Sequence, residues 1–389
     1  MRIWHSGAHA SPREVSGINA CVYALAQEQA SLGHEVSLLV TGPPDAHATR
    51  FVDRNGFRMV QLPANPFFHG SRAATLLNQE QPDIVHMHSV FIPTQAALAL
   101  ALRRHETPYL VTPHGGFSKH ILRREQLKKA LYSTLVERWR LRGAGGISVL
   151  TQAEETACRF FVPGFQGYIT QIYNPIDDTL LDHARWNPKP GRPRIIYLGR
   201  FDVETKGIDI ILSLAAKMLD VEFHLYGSED IRTHNSLLAL KLRHLPNVSF
   251  HKPVFGDDKA RVLCEASLYL QASRWDAFAI SVAEAMYIGL PCAIASTLDM
   301  APMLQGNDLA LVFDPHQADS NATILRALSD PEKLIRWSER ARTFARHHFH
   351  PRTVATQFVD FYGQIISSAN AAGCQRRSET VLAQPEMER

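Results

Sequence analysis

Two stretches place charged residues where a helix follows a strand. In YLGRFDVETKGIDIILSL (Tyr197–Leu214) an apolar run ends at Leu198 and Gly199, and Arg200 and Lys206 fall in the loop and at the start of the next helix. Two permanent cations beside a helix N-terminus can cradle an anion, because the helix end adds unpaired N–H donors and a partial positive charge. Taken alone, Arg-x5-Lys describes two solvated surface charges just as well. In SRWDAFAISVAEAMYIGLPCAIA (Ser273–Ala295), Asp276 and Glu284 bracket Ala277–Ala283, and the spacing starts a helix near Ser281. Amides at that helix start could meet a phosphate. Glu284, one turn further in, could accept hydrogen bonds from two adjacent ribose hydroxyls, or be an ordinary Glu on an amphipathic helix. The same two carboxylates could also serve a glycosidase as acid and base.

Histidines mark two further strand ends. HMHS sets His86 and His88 after the apolar Ile84–Val85, where turn or core roles suit them best. TPHGGF sets His114 directly after Tyr109–Thr112, with Gly115 and Gly116 leaving the backbone open to close approach by a ligand. In SGINA, Gly17 could offer its amide to an anion, or Ser16 could simply cap the helix. GxGxxG does not follow the first strand, which counts against a dehydrogenase.

The elements that must position these residues alternate in period. Strands are predicted at Ile3–His5, Val36–Val40, Phe57–Leu62, Ile84–Met87, Tyr109–Thr112 and Gly146–Leu150, with helices at Gly17–Leu32, Pro93–Arg103 and Ser118–Arg142. Asn174–Pro193, with four prolines, reads as a linker. The rhythm then restarts with strands Ile195–Leu198, Val221–Tyr226, Val248–His251, Leu268–Gln271 and Cys292–Ala295, and helices Gly207–Leu219 and Ser281–Ile288. A helical region runs from about Pro331 to Ile366, and 367–389 reads as a disordered tail. Strands joined by crossover helices imply two parallel, doubly wound sheets, one per domain, with ligands outside the carboxyl ends of the strands.

Composition narrows the class. The chain has 389 residues, 45% of them hydrophobic and 20% charged, with a formal charge of +3. That excludes a disordered chain and disfavours a nucleic-acid protein with a wholly basic surface. The length suggests about two domains. Five scattered cysteines without CxxC or zinc spacing fit a reducing, cytosolic compartment. No signal peptide is legible at the N-terminus, and no apolar run reaches the ~18 residues of a membrane span.

Together the motifs resemble the retaining glycosyltransferases of family 4, which have the GT-B fold. The matching stretches, in family order, are SGINACVYALAQEQASLGHEV, PDIVHMHS, VTPHGG, IYNPID, YLGRFDVETKGID and LYLQASRWDAFAISVAEAMYIGLPCAIA, and they cover about Met1–Ile366. The resemblance implies two Rossmann-like domains facing across a cleft. The acceptor-binding domain would be 1–173, the linker 174–193 and the nucleotide-sugar domain 194–350, with a C-terminal helix at 351–366 crossing back to the first domain. It implies a UDP- or GDP-sugar donor and no cofactor. Arg200 and Lys206 would contact the pyrophosphate, Glu284 the ribose and Asp276 the transferred sugar. Phe278, Ala279 and Ile280 complete the donor set. Gly17 would meet the phosphate from the other domain, and His114 the sugar near the reacting carbon. Catalysis would fall to His114, Arg200 and Lys206 without a metal, in keeping with the absence of a DxD motif. Two departures bear on the donor: Asp276 stands where the family usually has Glu, and Ala277 and Ala279 stand where glycines commonly flank the Phe. A nucleotide-sugar epimerase of the same fold, or a degenerate nucleotide-sugar-binding member, would use the same residues.

The acceptor would be a hydroxyl group. Ser118–Arg142 carries eight Lys or Arg against two Glu, a net +6, so the remaining residues sum to −3. Leu127, Leu131, Leu135 and Trp139 recur every four residues beside that charge. Such a helix either packs by its apolar stripe or lies on anionic lipid, in which case the acceptor would be lipid-linked and the protein peripheral on the cytoplasmic membrane face. Products of this kind of transfer are polysaccharides, lipopolysaccharides and glycolipids. No nucleic-acid partner is expected.

Overall fold

The computed structural model describes residues 1–8, 17–42, 50–54, 56–117, 132–176, 181–229 and 245–382. The chain divides into two units, Met1–Tyr173 with Val354–Arg389, and Asn174–Thr353.

The first unit holds β1 (Arg2–Ala8), β2 (Glu35–Thr41), β3 (Arg50–Arg54), β4 (Phe57–Leu62), β5 (Ile84–His88), β6 (Tyr109–Thr112), β7 (Gly146–Val149) and β8 (Tyr168–Gln171). Their order in the sheet is β3-β4-β2-β1-β5-β6-β7-β8, parallel throughout except that β3 runs antiparallel to β4. β1 and β5 are buried on both faces, as strands covered by helices on both sides must be. The order reverses beside β1, which puts the ends of β1, β5 and β6 at the switch point where doubly wound sheets bind ligands.

The second unit repeats the plan with β9 (Arg194–Leu198), β10 (Glu222–Tyr226), β11 (Val248–His251), β12 (Leu268–Gln271), β13 (Cys292–Ala295) and β14 (Leu311–Phe313), in the order β11-β10-β9-β12-β13-β14. Every pair in this sheet is parallel. β9 and β12 are neighbours in the sheet but far apart in sequence, so their carboxyl ends form this unit's switch point.

Three expectations change. Residues 367–382, expected as tail, continue the helix Pro351–Leu382, and only 383–389 lie outside the described residues. That helix buries Val354, Ala355, Phe358, Phe361, Tyr362 and Ile365 against Ile3, Leu25, Ile84 and Leu110 of the first unit. Each such side chain contributes about 1.5–3 kcal/mol, enough to hold a helix whose later sequence has no apolar face of its own. Second, 174–193 is no free linker. The Trp186 amide donates to Ile288 O, Asn187 to Cys264 O and Lys189 to Glu265 O, and the Trp186 indole donates to Ala266 O. Its prolines break helix formation without preventing docking.

Third, most of the basic stretch 118–142, with Leu127 and Leu131, lies outside the described residues, and its described end differs from a solvated basic face. Ser133–Glu137 is a π-helical turn running into the short helix Arg138–Arg142. Arg140 is 0% exposed and ion-paired with Glu137, and it donates to Gln95 Oε1 (3.0 Å) and Ser89 O (3.1 Å). A long cation with five donors is buried only where those donors are satisfied, as here. Arg138 lies over the Phe161 ring, while Leu135, expected on the apolar stripe, is 65% exposed. Among the described residues, no helix is long and apolar enough to cross a membrane.

Candidate functional site

In the second unit the charged residues gather where β9 and β12 end. After β9, Asp202 caps the one-turn helix Val203–Lys206 by accepting from the Thr205 amide, and Gly207 follows at φ +67°. A side chain at Gly207 would strike the Ala272 carbonyl oxygen at 2.2 Å, so only glycine lets this turn press against the end of β12. Lys206 Nζ then meets Asp276 Oδ2 at 2.5 Å, both side chains mostly buried. The structure thus brings together two residues assigned separately to pyrophosphate and sugar.

A third residue, not foreseen, locks that meeting. Arg274 makes a two-pronged contact with Asp209 (2.8 and 2.6 Å) and donates to Val203 O, while its amide donates to Thr205 O. The guanidinium fork suits this bidentate geometry and ties the loop after β12 to the turn carrying Lys206.

The helix Ile280–Ile288 begins after Ala279, which has no side-chain oxygen to cap it. Its N-terminal amides keep their capacity for an anion. The Ser281 hydroxyl is used by Tyr269, whose buried OH also reaches Leu198 O and Gln271, which joins the helix to both strand ends. Glu284 is buried and accepts from Lys259 Nζ at 2.5 Å, a partner also missed in the sequence. Arg200 is exposed on the loop after β9. Both Arg200 and Asp276 act on the Tyr197 hydroxyl, whose ionisation is pushed up first by burial, then by Tyr269, Asp276 and Asp202, and eased by Arg200. The Phe278 ring is buried edge-on against Phe349 (5.3 Å), so its side chain packs the core while its backbone stays in the loop before the helix Ile280–Ile288. Ala277 and Ala279 are buried beside it.

In the first unit, Gly17 opens the helix Gly17–Ser31 on an exposed turn; Ser16 lies outside the described residues. His114, two residues past β6, sits in the left-handed region at φ +51°, a conformation that costs about 1–3 kcal/mol and persists only where the surroundings impose it. Glu154 supplies part of that constraint. Its buried carboxylate accepts from the Gly115 amide and, at 2.7 Å, from the Leu150 amide. Gly116 has a packing role, since a Cβ there would lie 2.1 Å from Val90 Cγ2.

His86 and His88 are core residues as expected, but they also connect to His114. His88 Nδ1 lies 3.0 Å from His114 Nε2, and His88 Nε2 lies 3.1 Å from His5 Nδ1. His5 Nε2 reaches Gln29 Oε1 at 2.7 Å, and Gln29 Nε2 donates to Tyr362 OH at 3.2 Å. His86 bridges Tyr362 OH and Thr112 Oγ1, both at 2.7 Å. Burial disfavours the imidazolium and lowers His5 and His114 to about 4, and His86 and His88 well below the ordinary value. His5, His86 and His88 also offer ligand atoms within 4.8 Å of one another, close enough for a metal ion. Those nitrogens are instead engaged in the hydrogen bonds just described. The signal that could have revealed the cluster is register: His86 and His88 alternate on one face of β5, and His5 is the Cα partner of His86 in β1.

Comparison with known proteins identifies the family and the fold. Residues 16–174 match the glycosyl transferase 4-like domain, and residues 178–344 match glycosyl transferases group 1. A phosphatidyl-myo-inositol mannosyltransferase of Mycolicibacterium smegmatis is 26% identical over 94% of this chain and 95% of its own. A glycogen synthase of Mycobacterium tuberculosis is 23% identical over 93% and 94%. Among solved structures, sucrose-phosphate synthase from Thermosynechococcus elongatus superposes with a TM-score of 0.78 at 18% identity, covering 94% of this chain and 99% of that one. Anabaena HepE in complex with UDP and glucose superposes at 0.70, also at 18% identity, covering 94% and 100%.

Proposed function

The chain belongs to the group 1 glycosyltransferases, with the GT-B fold and a glycosyl transferase 4-like first half, and on that premise we propose that it moves a hexose-type sugar from a UDP- or GDP-sugar to a hydroxyl acceptor with retention of configuration. The observation that carries the reading is the Lys206–Asp276 contact beside the uncapped start of the helix Ile280–Ile288, with buried Glu284 one turn further in. Cations, helix amides and a buried carboxylate are the set a nucleoside diphosphate requires.

In this reading the bond between the anomeric carbon and the diphosphate breaks, the acceptor oxygen bonds to that carbon, and the hydroxyl proton passes to the departing phosphate. Negative charge grows on the diphosphate as the bond breaks. Lys206 and Arg200 stabilise it most in the transition state, the condition for acceleration. They take the role a metal ion plays in metal-dependent transferases. Lys206 is released from Asp276 as phosphate arrives, and Asp276 turns to hydroxyls of the transferred sugar. Glu284 accepts from the ribose hydroxyls, and the Ala279–Ile280 backbone faces phosphate. From the first unit, His114 is assigned to the transferred sugar and the Gly17 amide to phosphate. The acceptor belongs to polysaccharide, lipopolysaccharide or glycolipid assembly, with the protein on the cytoplasmic side and at the membrane surface where the acceptor is lipid-linked.

The test is a screen of UDP- and GDP-sugars with the purified chain, reading nucleoside diphosphate release with and without acceptors and with and without chelator. Release that survives chelator and falls about 100-fold or more in Lys206→Ala and Glu284→Ala supports the assignment. Unchanged activity in both variants defeats it, and an isomerised donor without acceptor identifies an epimerase instead. Co-sedimentation with anionic vesicles at low and high salt tests the membrane proposal; no salt-sensitive binding defeats it.

A further inference from the structure

The chain of hydrogen bonds behind His114 has a direction. Gln29 Nε2 donates to Tyr362 OH, so its Oε1 is left as the acceptor facing His5 Nε2. His5 must then carry its proton on Nε2 and accept at Nδ1 from His88 Nε2. His88 in turn accepts at Nδ1 from His114 Nε2. The last nitrogen, His114 Nδ1, is buried and has no partner among the described residues. The other branch agrees: Tyr362 accepts from Gln29 and donates to His86 Nδ1, leaving His86 Nε2 to donate to Thr112. With the Gln29 amide turned over, every proton in the chain moves to the other nitrogen, and His114 Nδ1 becomes a buried N–H without an acceptor. Among backbone groups, buried donors without acceptors are rarer than acceptors left under-satisfied.

We propose that Gln29 is a positioning residue that fixes the tautomer of His114 through His5 and His88, so that His114 Nδ1 presents a bare lone pair to a hydroxyl of the transferred sugar. This rests on the assignment of His114 to the sugar and adds what that contact is: His114 accepts a hydrogen bond and neither donates one nor carries charge. Tyr362 of the C-terminal helix belongs to the same network, its hydroxyl accepting from Gln29 Nε2 and donating to His86 Nδ1.

Nitrogen-15 NMR of the histidine rings in the ligand-free full-length chain tests the proposal, since imidazole nitrogens with and without a proton resonate far apart. His5, His88 and His114 are expected in the Nε2–H form at neutral pH. Gln29→Glu, which keeps an acceptor opposite His5, retains that form, whereas Gln29→Leu leaves His114 in a mixture of tautomers. For a donor that the screen finds active, kcat/KM falls about 3- to 10-fold in Gln29→Leu, the range of one hydrogen bond, and returns in Gln29→Glu, while affinity for the nucleoside diphosphate alone is unchanged. A wild-type spectrum with His114 protonated on Nδ1 overturns the proposal, and it decides the matter even if Gln29→Leu does not fold. The spectrum does not depend on transfer: an Nε2–H His114 in a protein that transfers no sugar would refute the functional reading alone.

Discussion

The two functional regions are built from opposite materials. In the first unit, three buried imidazoles, the half-buried ring of His114, an amide, a hydroxyl and a phenol form a network of neutral hydrogen bonds. At the ends of β9 and β12 in the second, Lys206–Asp276 and Lys259–Glu284 are ion pairs whose lysines keep some exposure. Neutral buried networks rigidify, because any unmade bond leaves a desolvated polar group. Ion pairs whose lysines still reach water can exchange partners where an incoming anion replaces what is broken. The difference matches the tasks proposed for them. A diphosphate whose charge grows must be met by cations that can be freed for it, while a sugar must be oriented by a group that keeps one protonation state.

The sharpest break of the comparison is Lys206→Ala. Nucleoside diphosphate release should fall about 100- to 1,000-fold, with a smaller loss of thermal stability, since the mostly buried Asp276 carboxylate loses its partner. A large loss of stability with modest loss of rate would mean that the pair is structural. The first unit should behave in the reverse way when pH is lowered. An unfolded imidazole takes its proton near pH 6.5, while buried His5 and His114 take theirs only at about 4. Between those values the unfolded chain binds more protons, so stability is complete above pH 6.5 and falls as pH drops through 4. Each proton contributes a slope of about 1.4 kcal/mol per pH unit, and His86 and His88, lowered further, extend the loss. Urea unfolding from pH 7 to 4.5 measures it; a flat profile would show that the histidines are not neutral in the fold.

What the sequence disclosed follows the same division. Lys206, Asp276 and Glu284 were legible because each stands a fixed few residues from an apolar run, and strand ends are local features. Their partners were not. Lys259 lies 25 residues before Glu284, and Asp209 lies 65 before Arg274, so those meetings depend on which strands become neighbours. The network behind His114 was half visible, in the alternation of His86 and His88 on one strand face, but Gln29 and Tyr362 join it from helices 333 residues apart. Among the strands, β8 (YITQ) has no buried side chain and β3 (RFVDR) has only two apolar residues, so neither shows the apolar run that disclosed the others, while β14 (LVF) is apolar but only three residues long. For Phe278 the sequence could not say that the ring turns into the core against Phe349.

Arg274 sharpens the comparison at intermediate cost, because it gives the charged region the rigidity it otherwise lacks. Arg274→Lys keeps the charge but loses the fork that holds Asp209 and Val203 O together. The turn carrying Lys206 should then wander, with kcat/KM lowered about 10-fold, equivalent to roughly 1.4 kcal/mol, and KM for donor changed less than kcat. Equal loss in Arg274→Lys and Arg274→Ala would support this, since it is geometry that is missing; full rescue by Lys would leave only charge as the role of Arg274.

The smallest expected effect concerns Lys259. A carboxylate has about four lone-pair directions, and Lys259 occupies Glu284 Oε1, which leaves Oε2 for ribose hydroxyls without breaking the pair. Lys259 therefore aims Glu284 rather than competing with the ribose. Lys259→Met should weaken nucleoside diphosphate binding about 3- to 5-fold by calorimetry, through a carboxylate that is less well held, and Lys259→Arg should restore most of it. Tighter binding in Lys259→Met would mean that the pair has to open for the ribose, placing Lys259–Glu284 with Lys206–Asp276 among the contacts that exchange. The two ion pairs of the second unit would then act alike; weaker binding separates them, one yielding to the ligand and the other holding still beneath it.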